Sequence, residues 1–206
     1  MTTVEEVGTA EPTEGRAEVR SRRAYTWLSC REKSCCTRTV AVTGADVARI
    51  AEGIAVEPWQ FVELAPTNEG DPAGVAMDDG PDRQAMVLRR TGRDCVFLVR
   101  TGSGAGRCGL GALAPTACRM FPATVGEADP GPDVCTCREW TMYEIEGEDT
   151  ASLRRQAIDE RQAWHDTVRR WNDFAAGVGP EAGLAAPDLL RFALDVQATL
   201  DEGTDW

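Results

Sequence analysis

Eight cysteines in a chain of 206 residues, five of them packed into two short runs, constrain this sequence more than any other feature. Cys30, Cys35 and Cys36 form C-x4-C-C, Cys135 and Cys137 form C-x-C, and Cys95, Cys108 and Cys118 stand between them. A buried thiol used only as a small hydrophobe has no reason to cluster with others. Ligation does require clustering, because an ion needs several donors converging on one point. Disulfides are the other use of paired cysteines, and they belong to exported chains. The opening stretch MTTVEEVGTAEPTEG has neither the basic region nor the apolar run of a secretion signal. The expectation is therefore a cytoplasmic chain whose thiols stay reduced and hold a metal.

The donor set narrows the choice of metal. His165 is the sole histidine and falls within a helical pattern, where packing explains it and no neighbour supplies a co-ligand. Ligation would be almost wholly through sulfur, which selects zinc, iron–sulfur or cuprous copper over magnesium, calcium or manganese. Eight thiolates suffice for two centres and, with no imidazole to share the work, tilt the choice toward an iron–sulfur centre over zinc. Cys35 and Cys36 would point to opposite faces of an extended chain, whereas Cys135 and Cys137 would point the same way. Arg31, Lys33, Arg107, Arg119 and Arg138 lie near these cysteines in sequence. They either offset thiolate charge or are chance neighbours in a chain with 22 basic residues.

Charge and hydropathy exclude other classes. The chain carries 22 Lys and Arg against 34 Asp and Glu, a net charge of −12, which is wrong for a partner built of phosphates. No apolar run is long enough for a membrane-spanning helix. Neither G-x-S-x-G nor H-E-x-x-H occurs, so no catalytic residue is named.

The pattern predicts an α+β fold: a small cysteine-rich unit with a short antiparallel hairpin, braced by two C-terminal amphipathic helices. Residues 1–24 read as a disordered tail, 25–140 as the cysteine-cluster metal-binding domain, and 141–206 as a helical segment packed on it. Within the middle unit, residues 37–42 (TRTVAV) alternate as a half-buried strand. Thr43 and Asp46 have the spacing of a helix cap, and Gly53 is the expected end of that helix. Pro58 opens a second short helix carrying Trp59, Phe61, Val62 and Leu64. Residues 66–82 read as an acidic surface loop. Residues 85–90 and 94–100 form a hairpin about Thr91-Gly92, with Cys95, Phe97 and Val99 on one face. The glycine run at 102–106 reads as a loop, residues 115–121 as a short helix holding Cys118, and 123–134 as a further loop. Leu153, Ala157, Trp164, Val168, Trp171 and Ala175 make one helical stripe; Leu189, Phe192, Val196 and Leu200 make another after Pro187, giving an antiparallel pair.

These motifs resemble the YkgJ-type cysteine-cluster family of zinc- or iron-chelating domains. In that family an aromatic-led cluster ends in Cys-Cys and is followed by T-x-x-D, C-x-F-L, a further cysteine, and P-x-x-C-R-x-[FY]-P. This chain has Cys35-Cys36, Thr43 to Asp46, Cys95-Val96-Phe97-Leu98, Cys108, and Pro115 through Cys118 to Phe121-Pro122. The likeness spans roughly residues 25–140. It departs in two places: the usual C-x2-C-x2-C-C is one ligand short, and Ala114 stands where the family has Arg. Cys135 and Cys137 are candidates to replace the missing ligand. The resemblance implies metal chelation, with Cys30, Cys35, Cys36, Cys95, Cys108, Cys118, Cys135 and Cys137 as ligands. Two alternatives stand beside it. One is a structural zinc module that presents a protein-interaction surface through the acidic loop and the helices. The other is a thiol–disulfide redox protein.

Overall fold

The cap predicted at Thr43 forms as a reciprocal pair. In the computed structural model, which describes residues 36, 38–68, 70–77, 83–100, 106–120, 150–179 and 182–203, the Asp46 amide donates to Thr43 Oγ1 at 3.1 Å and the Thr43 amide donates to Asp46 Oδ2 at 3.1 Å. Two of the orphan donors at the start of helix α1 (Gly44–Ile54) are thereby satisfied, and Val47 and Ile50 are buried along its inner face. The helix does not stop at Gly53 but runs to Ile54 and closes on Ala55, whose φ of 53° lies in the left-handed region. Gly53 has another task. A Cβ there would lie 2.5 Å from Leu113 Cδ1, so its missing side chain lets the helix approach that leucine.

Pro58 starts only a single 3-10 turn, Pro58–Gln60, rather than a helix. Val62 and Leu64 belong instead to strand β1 (Val62–Pro66), which pairs antiparallel with β2 (Gln84–Leu88) in the register Val62↔Leu88 to Pro66↔Gln84. β-branched and apolar residues suit that half-buried surface better than one more helical turn. The other edge of β2 takes residues 40–42, with Leu88 N–H donating to Val40 O at 2.9 Å and Val42 N–H to Met86 O at 3.0 Å. Val75 exchanges both main-chain bonds with Gln84 on that same edge. Residues 66–77 are thus more than a surface loop: Val75 and Met77 are buried. Residues 69 and 78–82, which complete the predicted loop, lie outside the described residues.

The hairpin at Gly92 is present but short. Strand β3 (Arg90–Thr91) pairs with β4 (Asp94–Cys95) across Gly92 and Arg93, and Gly92 takes a φ of +64° that favours glycine. The chain then bends at Val96 and Phe97 before β5 (Leu98–Arg100), which pairs with β6 (Gly106–Cys108). That bend breaks the single face expected of Cys95, Phe97 and Val99: the first two pack against the core and Val99 is 56% exposed. A short helix α2 (Thr116–Met120) carries Cys118.

Two long helices complete the chain's order, α3 (Thr150–Val178) and α4 (Ala186–Asp201), with Pro187 in the first turn of α4. The predicted stripe is core: Leu153, Ala157, Trp164, Val168 and Trp171 are buried, as are Leu189 and Val196, while Leu200 near the end of α4 is exposed. The Trp171 and Phe192 rings meet edge-on at 5.5 Å, joining the two helices. Trp171 also donates from Nε1 to Ala76 O at 2.8 Å, and Asn172 both accepts from Ala76 N–H and donates to Gly74 O. One apolar cluster runs through Val42, Ile50, Phe61, Met86, Trp164, Trp171 and Leu189. The fold is α+β, with helices, short antiparallel pairs and two C-terminal helices sharing that core. No helix among the described residues is long and apolar enough to cross a membrane.

Candidate metal centre

Four of the eight cysteines fall among the described residues, and the fold brings them to one place. Cys30, Cys35, Cys135 and Cys137 lie outside the described residues, as do the predicted tail at 1–24 and the loops at 102–105 and 123–134. Cys36 precedes the segment that edges β2, Cys95 ends β4, Cys108 ends β6 opposite Leu98, and Cys118 sits inside α2. Together they line a single cavity whose remaining wall is Val40, Leu88, Leu110, Ala114 and Pro115. All four are thiols rather than disulfide halves.

The cavity measures about 20 Å³ for a water-sized sphere. A volume of roughly 10–15 Å³ on that measure holds one water, so the space suits a single small atom. Among the described residues, no group of three or more His, Cys, Asp or Glu side chains is set as the ligands of a metal ion. The sulfurs share a pocket without standing in a finished coordination shell.

Burial dominates the electrostatics here. It pushes the Cys118 thiol far above the usual range, and Cys108, Cys95, Cys36 and then Asp46 push it further. Burial raises Cys95 too; a hydrogen bond from the Phe97 amide opposes this, Cys36 and Cys108 add to it, and Arg90 pulls the other way. Cys95 and Cys118 therefore keep their protons, and charge on a neighbouring sulfur makes either harder to ionise. A cation among them would reverse that order, since thiolate is the form that ligates.

Of the cations singled out from the sequence, Arg119 follows Cys118 in α2. Arg31, Lys33 and Arg138, with the side chain of Arg107, lie outside the described residues. The cation placed across from a thiol is Arg90, register partner of Cys95. Counting outward from the two-residue turn at Gly92 would have found it. His165 takes no part in the cavity wall; it is half-buried on α3, where burial and Arg161 lower its pKa. From the sequence Asp46 is a cap and nothing else, yet its second oxygen, Oδ1, accepts the Thr116 amide at 3.0 Å.

No family model, no curated protein and no solved structure matches the chain. The cysteine-cluster resemblance rests on its motifs alone.

Proposed function

We propose that the chain is a cytoplasmic metal-binding protein of the cysteine-cluster kind, holding one soft cation, zinc or iron, among Cys36, Cys95, Cys108 and Cys118. The observation that carries this reading is convergence. Four thiols from four separate segments line one small apolar cavity. Thiols used only for packing would be spread through the core. Sulfur donors in an apolar wall prefer zinc, ferrous iron or cuprous copper to hard cations. The volume favours a single ion over an iron–sulfur cluster, whose several metal and sulfide ions need more room. Binding would draw the β4, β6 and α2 ends together until the sulfurs meet the ion, with folding and ligation coupled. Cys30, Cys35, Cys135 and Cys137 are then ligands of a second centre or completing ligands of this one.

A structural zinc module is the same site put to another use, and a colourless protein with stoichiometric zinc supports it. Thiol–disulfide cycling is the weaker alternative, because burial holds Cys95 and Cys118 in the protonated form that does not attack disulfides. Elemental analysis of anaerobically purified protein tests the proposal. Wild type should carry zinc or iron in whole-number ratio to the chain, and Cys95→Ser and Cys118→Ser should each lose it. Metal content unchanged in both variants, or absent from wild type, rejects the reading.

A further inference from the structure

We infer that Asp46 is the positioning residue of the cysteine cavity, the group that holds the Cys118 helix in place; its bearing on ligation rests on the metal-binding reading above. Asp46 is 1% exposed. Its Oδ2 accepts the Thr43 amide, which completes the cap of α1 and is all that capping requires. Oδ1 goes further and accepts the amide of Thr116, 70 residues along the chain and the first residue of α2. The Arg49 guanidinium bonds to the same carboxylate and reaches Glu160 of α3 at 2.8 Å.

The α2 helix needs such an anchor. At five residues it is too short to persist on its own hydrogen bonds. It follows directly from Ala114 and Pro115, which line the cavity, and Cys118 lies two residues past the anchored amide. One buried carboxylate therefore joins the start of α1 to the start of the cysteine-bearing helix, braced by Arg49 against α3. In Asp46→Asn the amide offers one acceptor oxygen to two main-chain donors and turns its own N–H groups toward the other, so one tie is lost.

The test uses the full chain as wild type, Asp46→Asn and Thr43→Ala. Thr43→Ala removes the capping hydroxyl while leaving both Asp46 oxygens in place. Iodoacetamide labelling of Cys118 and Cys95 is followed by peptide mass spectrometry in metal-free protein, and cobalt(II) binding by its sulfur charge-transfer band. Asp46→Asn should speed Cys118 labelling about tenfold relative to Cys95 and weaken cobalt binding about tenfold, as expected for a lost buried hydrogen bond. Thr43→Ala should leave the labelling ratio of the two cysteines unchanged. Should Asp46→Asn fail to fold, Thr116→Pro carries the same expectation: it removes the main-chain donor, together with the buried Thr116 hydroxyl, at a helix position that tolerates proline. Equal acceleration at both cysteines, an equal effect in Thr43→Ala, or an unchanged Cys118 overturns the assignment. Wild type without the cobalt band rejects the metal-binding reading, while the labelling contrast still decides the role of Asp46.

Discussion

A thiol surrenders its proton where water or a cation takes up the charge, and the described wall around Cys118 is made of thiols and apolar side chains. Cys118 and Cys95 are both held protonated by burial, so folding binds their protons more tightly than the unfolded chain does. Their contribution to stability is full below the ordinary thiol range and falls as pH rises toward the folded values. The midpoint of thermal unfolding of metal-free protein should therefore fall between about pH 8 and about pH 10, and fall less in Cys118→Ser. Metal-loaded protein should show the opposite trend, because binding expels those protons and is favoured as pH rises. Parallel curves for the two forms would refute this. At this scale the sequence shows which residues are thiols and that they cluster; it hides which of them meet. Cys36 and Cys118 are neighbours only through β2 and α2, and the second partner of Asp46 is invisible for the same reason, since a cap motif speaks only for its own helix.

Among the elements, two helical glycines, Gly53 in α1 and Gly177 in α3, make a controlled contrast. Alanine is favoured over glycine in a helix by about 1 kcal/mol. At Gly177 a Cβ meets nothing within 4 Å, so Gly177→Ala should raise stability by about 0.5 kcal/mol, less than the full preference because it sits in the last turn of α3. At Gly53 the added carbon meets both Leu113 methyls, at 2.5 and 2.8 Å, and forcing that leucine aside should outweigh the helical gain, a net loss of about 1 kcal/mol. Urea unfolding of the pair checks this, and a stabilising Gly53→Ala would show that Leu113 is free to move. The long elements were legible: the α3 and α4 stripes have the helical period, and the Thr43 cap has its partner at the right spacing. The short ones were not. Phe61, Val62 and Leu64 fit a helix or a strand equally well over so few residues, and only pairing with β2 decides. The bend at Val96 and Phe97, which separates Val99 from Cys95, has no glycine or proline to announce it.

At the scale of the molecule, Trp171 ties several parts together. It is 1% exposed, its ring meets Phe174 and Phe192, and its Nε1 donates to Ala76 O on the segment that also presents Val75 to β2. Trp171→Phe keeps an aromatic ring but leaves that carbonyl without its donor and a gap where the indole stood. It should cost about 2–3 kcal/mol, read as a lower urea midpoint with an unchanged slope. A change within error would mean the 70–77 segment is held by other contacts. The same core joins residues from 42 to 193, so the cysteine cavity rests on a frame in which α3 and α4 take part. The order of the lining cysteines then has a consequence for biosynthesis. A ribosome reading this chain releases Cys36 early, and the cavity's far wall arrives only with Pro115 and Cys118. The cavity is assembled only after that stretch has been translated, so an ion bound as proposed above would meet a tertiary structure and not the nascent peptide.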